Sequence, residues 1–257
     1  MRSSGRTVNP VLLSELRGPV EILSLNRPER RNAMLPELMD ALAERLDRAT
    51  HPTILTGAGR AFCVGADLKW LATTDDPALA VAQLVARHHA AVRSLLDTPV
   101  PVIAAINGPT AGGGLSLALA SDYRIAGASA TFTAAYFRLG LTPDGGTSLF
   151  LPRTIGVTRT LELLMTNRTV GAAEAHEWGL VNEVVPDEQL LDRACEVAAA
   201  MRRVPAQTLR TTRRLLDAAS GPGLETQLQR EAVAMRAAAR QPAFRSALRA
   251  FLEGRSS

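Results

Sequence analysis

Two glycine-rich segments constrain this chain more than any other feature: residues 56–70 (TGAGRAFCVGADLKW) and residues 104–122 (AAINGPTAGGGLSLALASD). Each follows a short apolar, β-branched run, at residues 53–56 and 100–106, and puts glycine where a strand ends. Glycine has no side chain, so its backbone turns in either hand and its neighbours' N–H groups approach a ligand closely. Two such N–H groups converging on one carbonyl oxygen form an oxyanion hole. That device stabilises developing negative charge by about 2.7–4 kcal/mol per donor.

At 257 residues, with 46% hydrophobic residues, the chain is long enough for one large domain or two small ones with ample core. No apolar run approaches the roughly 20 residues that span a bilayer. The first ten residues lack the apolar centre of a signal peptide, so a cytoplasmic, membrane-free protein is expected. Cys63 and Cys195 are too few for a disulfide framework, and no His, Cys, Asp or Glu set has metal-ligand spacing, so no metal is expected. The net charge is +4, and Lys69 is the sole lysine among 29 basic residues. The arginines are spread along the chain rather than bunched, which argues against a nucleic-acid partner.

Residues 21–26 read as a strand followed by a turn at Arg27-Pro28. Leu35, Leu38, Met39, Leu42 and Leu46 then recur at helical spacing, with Pro36 at a first helical position. A strand over 53–56 leads into the first glycine turn. A second amphipathic helix covers 79–96 and stops at Thr98-Pro99. A strand over 100–106 precedes the second glycine turn, which opens a helix over 113–120. Short strands follow at 123–126 and 130–133, and Asp144 after Pro143 opens another helix. From Thr158 the chain reads as mostly helical, interrupted by a strand over 179–185. Strands alternating with helices give an α/β fold. A shift near Asp187 separates a core, 1–186, from a helical region, 187–257, broken at Pro205, 220–223 and Pro242.

Two further segments, NRPERRNAM at 26–34 and LGLTPDGGTSLFLPRTIG at 139–156, complete a pattern with the glycine turns. In order and wording, from about Val20 to Arg255, the chain resembles the crotonase superfamily, the enoyl-CoA hydratase/isomerase family. The resemblance implies a spiral of ββα units over the core and a C-terminal helical region that packs trimers, hence a homotrimer or dimer of trimers. It implies an acyl-CoA thioester as substrate, with coenzyme A entering as part of that substrate and no separate cofactor. The oxyanion donors it implies are the N–H of Ala66, after Phe62-Cys-Val-Gly65, and the N–H of Gly113. The latter sits at a helix start, where free amides and the helix dipole favour an anion.

Substrate contacts are implied at Arg27, Ala33, Gly65, Asp67, Lys69, Ser116 and Tyr136, with Arg27 and Lys69 as candidates for coenzyme A phosphates. The residues themselves leave other readings open. Asp67 suits a helix N-cap, Arg27 and Lys69 suit solvated surface charge, and Tyr136 suits a core aromatic. His88 is in step with Leu84, Val92 and Leu95 and reads as a packed, satisfied histidine. His51, His89 and His176 belong to no motif. The tail, ending FLEGRSS, lacks the Lys-Pro-x-Phe-like ending common in the family, so no C-terminal contact with adenine is implied.

Hydratases of the family use two glutamates, and this chain has Ser116 and Tyr136 at those positions. A serine without an adjacent base does not activate water, and tyrosine, with a reference pKa of about 10, is a poor base. Asp144, in Pro143-Asp-Gly-Gly146, matches the wording of the isomerase branch, where one aspartate moves a proton between two carbons of the acyl chain. One carboxylate suffices for that reaction once the thioester oxyanion is stabilised. An aspartate after proline is also an ordinary N-cap signature. The expected activity is a double-bond shift in an enoyl-CoA. The alternatives are an enoyl-CoA hydratase or another enolate reaction such as decarboxylation or ring opening, and a non-catalytic acyl-CoA binder.

Overall fold

The computed structural model describes residues 10–219 and 223–254. The first nine residues, most of the break expected at 220–223 and the tail residues 255–257 lie outside these. The chain opens with a hairpin of β1 (Leu12–Arg17) and β2 (Val20–Leu25), joined at Gly18-Pro19 with Gly18 in a left-handed conformation (φ +59°). A six-stranded sheet then grows in the order β1-β2-β3-β4-β6-β9, with β3 at Thr53–Gly57, β4 at Val102–Ile106, β6 at Tyr123–Gly127 and β9 at Glu183–Val185. All pairings after the hairpin are parallel. β3 and β4 are buried along their whole length, as expected of parallel strands covered on both faces.

Side-chain alternation explains how that sheet is covered. Leu23, Leu55 and Ala104 face a large core built with α1 (Pro36–Asp47), α2 (Leu68–Ala72) and α3 (Pro77–Asp97). Ile22, Ile54 and Ile103, one residue out of phase, face a second core closed by Leu190, Ala194 and Val197. Each buried aliphatic side chain contributes about 1.5–3 kcal/mol. A one-residue slip of any strand would exchange the two faces.

The strands that carry the site turn over at their carboxyl ends into a second, smaller layer. After β2 comes Met34, after β3 the segment Cys63–Ala66, after β4 comes β5 (Thr110–Ala111), and after β6 comes β7 (Thr131–Thr133). Parallel bridges tie Met34 to Ala66 and Cys63 to Thr110, while β5 pairs with β7 and β7 with β8 (Val170–Gly171). The repeat strand–short strand–helix is therefore present in three dimensions. It is the ββα spiral of a crotonase-like fold.

The remaining helices are α4 (Gly113–Leu119), α5 (Thr147–Thr166), α6 (Ala172–Glu177), α7 (Leu190–Met201), α8 (Ala206–Ala218), α9 (Leu224–Ala239) and α10 (Pro242–Leu252). Pro242 stands at a first helical position and Pro205 just before one, which accounts for the breaks read there. Two expectations need correction. Asp144 does not open a helix: α5 starts at Thr147, with Gly146 at the cap and no side-chain cap bond. That helix begins well before Thr158 and is kinked at Gly156. The strand expected over 179–185 shortens to β9, because Gly179, in the left-handed region, ends the turn after α6.

The two glycine turns meet backbone to backbone. A Cβ on Gly114 would lie 2.1 Å from the Cys63 carbonyl oxygen, and that atom accepts from Ala111 N–H at 2.9 Å. Gly114→Ala is expected to lower stability by about 2–3 kcal/mol through overpacking. A shift in the midpoint of urea unfolding would measure it.

Candidate active site

The first glycine turn is held by neighbours that leave one amide over. Met34 N–H donates to Gly65 O at 2.7 Å, and Asp67 N–H donates to Met34 O at 3.0 Å. Ala66, between them, has an N–H with no acceptor among the described residues. Gly65 adopts φ +85°, and a Cβ there would fall 3.0 Å from Ala111 O and 3.4 Å from Gly113 N. Gly113 is the first residue of α4, so its own N–H has no intrahelical acceptor. Ala66 and Gly113 both line a cavity of about 240 Å³. Its apolar walls come from Met34, Leu71, Leu84, Leu141, Met235 and Phe251.

Asp67 is a helix cap: its Oδ1 accepts from Lys69 N–H and Trp70 N–H at 3.1 Å each, opening α2. Its Oδ2 accepts from Arg27 at 2.7 Å, and Arg27 also donates to Ala33 O at 2.5 Å. Burial raises the Asp67 carboxyl, but the Arg27 hydrogen bond and charge outweigh it and hold the group below its usual range. The Arg27 guanidinium is thus tied into the loop that carries Ala33 and Met34. Lys69 is exposed on the outer side of α2.

Asp144 lines the cavity and, among the described residues, is the only carboxylate that does so. It is 6% exposed, and its Oδ2 lies 3.2 Å from His88 Nδ1. Burial pushes the carboxyl up, but the charge and hydrogen bond of His88, with smaller help from His89 and Tyr136, bring it below its ordinary value. Tyr136 is buried and also faces the cavity. Its hydroxyl lies 3.1 Å from Thr147 Oγ1 and donates weakly to Asp144 O at 3.4 Å. Burial first, then the Asp144 charge, raises this phenol well above its usual range, so it is a hydrogen-bond donor and not a base.

Ser116 differs from expectation in two respects. It lies beneath the cavity and does not line it, and a base is adjacent after all. His88 Nε2 is 2.7 Å from Ser116 Oγ, which also donates to Gly113 O at 2.7 Å. His88 is packed and satisfied, as its place on α3 suggested, yet its partners are the candidate acid/base and the helix that carries an oxyanion donor. Gly145 leaves room for this contact, since a Cβ there would sit 2.2 Å from His88 Cε1 and 2.5 Å from Ser116 Oγ.

Two residues were missed by sequence reasoning. His89, also buried, accepts from Gly145 N–H through Nε2 at 3.1 Å, and burial pushes its pKa down to about 4, leaving it neutral. Glu231, from α9, accepts from Gly146 N–H at 2.7 Å, from Ser148 N–H at 3.0 Å and from the Ser148 hydroxyl. Burial raises its carboxyl above the ordinary range despite these bonds. Together they hold the Asp144–Ser148 turn from two different helices. Nothing in the local sequence around either residue announces that role. Cys63 is fully buried, and burial pushes its thiol to about 12, so it is no nucleophile. Among the described residues no group of three or more His, Cys, Asp or Glu side chains is arranged to hold a metal.

The spiral of turns, with two free amides beside an apolar cavity, is an architecture of the crotonase type. A family model described as enoyl-CoA hydratase/isomerase matches residues 16–257, and the chain belongs to that family. It is 39% identical to the Escherichia coli K12 protein named 1,2-epoxyphenylacetyl-CoA isomerase, over 95% of this chain and 96% of that one. It is 40% identical to a probable enoyl-CoA hydratase of Mycobacterium tuberculosis H37Rv, over 93% of each. Among solved structures it superposes with TM-score 0.69 on a monofunctional enoyl-CoA isomerase from M. smegmatis, at 37% identity, covering 86% of this chain and 99% of that one.

Removing Asp67 takes away both the cap of α2 and the partner of a mostly buried arginine. Asp67→Ala is expected to cost about 2–4 kcal/mol. Because the Asp67 carboxyl is held below its ordinary value, that difference from wild type is present at neutral pH and shrinks as pH falls through the depressed value. Urea unfolding of both proteins at neutral and acid pH would check it.

Proposed function

We propose that this protein moves a double bond within an unsaturated acyl-CoA thioester. The observation that carries the reading is that, among the described residues, one carboxylate alone faces a cavity that also holds two unpaired backbone N–H groups. The thioester oxygen binds Ala66 N–H and Gly113 N–H. The acyl chain fills the apolar cavity beside Asp144. Asp144 takes a proton from the acyl chain, the electron pair moves into an enolate held by the two amides, and the same carboxyl returns the proton two carbons away.

Water addition needs a second group to deliver or accept a proton. Tyr136, which lines the cavity with Asp144, is a donor with a raised pKa, Ser116 lies outside the cavity, and His88 is committed to both Asp144 and Ser116. This favours isomerisation over hydration, in line with the likeness to the E. coli and M. smegmatis isomerases. Arg27 is committed to Asp67 and Ala33, so Lys69 is the better placed of the two cations to meet coenzyme A phosphates. Coenzyme A comes as part of the substrate, and no further cofactor is required by this chemistry.

The assembly we favour is a trimer or dimer of trimers. Exposed Val157, Leu161 and Met165, spaced one turn apart on the outer half of α5, offer an apolar stripe suited to a subunit contact. Among the described residues no helix is long and apolar enough to cross a membrane.

Incubation with matched 2-enoyl-CoA and 3-enoyl-CoA thioesters, followed by chromatography and mass measurement, tests the reaction. The expected product has unchanged mass and a displaced double bond. Gain of one water would establish hydration instead. Asp144→Asn is expected to lower kcat by about 10²–10⁴-fold, and a variant with wild-type turnover would remove Asp144 from the mechanism. The ionised carboxyl is the base, so kcat should fall as pH drops through its depressed value.

A further inference from the structure

Three short contacts join Gly113 O, Ser116 Oγ, His88 and Asp144 in a line, and each contact needs a proton. Gly113 O is a carbonyl and only accepts, so the single hydroxyl proton of Ser116 lies in that 2.7 Å contact. Ser116 Oγ is then the acceptor in its 2.7 Å contact with His88, and the proton there belongs to Nε2. A neutral His88 protonated at Nε2 would turn a bare Nδ1 toward Asp144. The 3.2 Å contact to Oδ2 therefore holds one more proton. Between imidazole and carboxyl it resides on the stronger base, the imidazole.

We propose that His88 is an imidazolium that positions Asp144 and supplies the counter-charge for the enolate. The proposal rests on the isomerase reading of the site. At rest the buried His88–Asp144 pair is neutral overall, as burial of both side chains requires. When Asp144 takes a proton from the acyl carbon, through the oxygen that His88 does not hold, the pair becomes singly positive. The electron pair left on carbon appears as one negative charge on the thioester oxygen at Ala66 and Gly113. Return of the proton from Asp144 to the other carbon restores both to neutral, and His88 neither gains nor loses a proton. Arg138 also borders the cavity, but within the Ser116–His88–Asp144 line His88 is the group able to carry the balancing positive charge.

The ionisable groups around His88 are consistent with this. Asp144 is held below its ordinary value with His88 as the main cause acting against burial. His89, the next residue on α3 with its ring centre 6.2 Å away, is neutral, with Nδ1 protonated because Nε2 accepts from Gly145. From α9, Glu231 has its carboxyl raised by burial. Tyr136 stays a phenol. Arg93 and Glu225 pair with each other at 2.7 Å farther along α3. Ser116 itself is excluded as a nucleophile, since its proton is given to Gly113 O and it does not reach the cavity.

The chain has four histidines, so 15N-histidine labelling of the intact enzyme resolves each ring by NMR, with His88→Gln assigning its signals. At neutral pH the expected spectrum shows His88 protonated at both nitrogens and His89 protonated at Nδ1 alone. A neutral His88, in either tautomer, overturns the proposal, and this test needs no variant to fold. In kinetics, His88→Gln keeps a hydrogen-bonding side chain but no charge. It should lower kcat about 10²-fold with KM within about twofold. An unchanged kcat overturns the proposal. Full activity of Asp144→Asn, by contrast, would overturn the isomerase reading, while the His88 spectrum separately decides the protonation assignment.

Discussion

The architecture depends on the contact between two glycine turns whose backbones touch. Gly65 lies against Ala111 and Gly113, and Gly114 lies against the Cys63 carbonyl. Side chains at these positions would force the turns apart by the width of a methyl group or more. With them apart, Ala66 N–H and Gly113 N–H could not share a single oxygen, because hydrogen bonds tolerate only a few tenths of an ångström of stretch. The parallel bridges Met34–Ala66 and Cys63–Thr110 extend the same contact into a small second layer. The spiral serves chiefly to bring these turns together.

Around that contact the site is built from buried polar groups that are almost all committed. Asp67 is held by two amides and Arg27, and Asp144 by His88. Gly145 and Gly146 N–H are taken by His89 and Glu231. Buried polar groups with partners rigidify a site, whereas those without partners are costly. Ala66 and Gly113 amides stand apart from this pattern, facing a cavity with no acceptor among the described residues. Two donors left open beside an apolar cavity are therefore the exception that the proposed reaction uses.

The same logic explains how one fold tolerates loss of both family glutamates. Ser116 and Tyr136 are recruited into hydrogen bonds that support Asp144 and its loop, through His88 on one side and Thr147 on the other. Among the described residues one carboxyl, that of Asp144, lines the cavity. Its environment, an apolar cavity with a histidine behind it, then decides what it can do. Fold alone does not fix that outcome.

Local pattern determined much of this protein. The strands at 21–26, 53–56 and 100–106, the α1 stripe from Leu35 to Leu46 and the Asp67 cap were all legible. Each rests on neighbours within one or two turns of chain. The ββα repeat was not legible, because its second strands are one to three residues long and carry no alternation to read. Asp144 carried two readings, a cap from the local signal of proline before aspartate and the acid/base that the resemblance implies. Its carboxylate instead meets His88, 56 residues earlier in the chain. Glu231 reaches Gly146 from 85 residues away, on a helix whose sequence shows only an amphipathic face. Contacts at such separations are set by how helices pack on the sheet. The sequence by itself therefore determined which atoms were available for catalysis, and only the tertiary structure decided which of them stand together and where their protons lie.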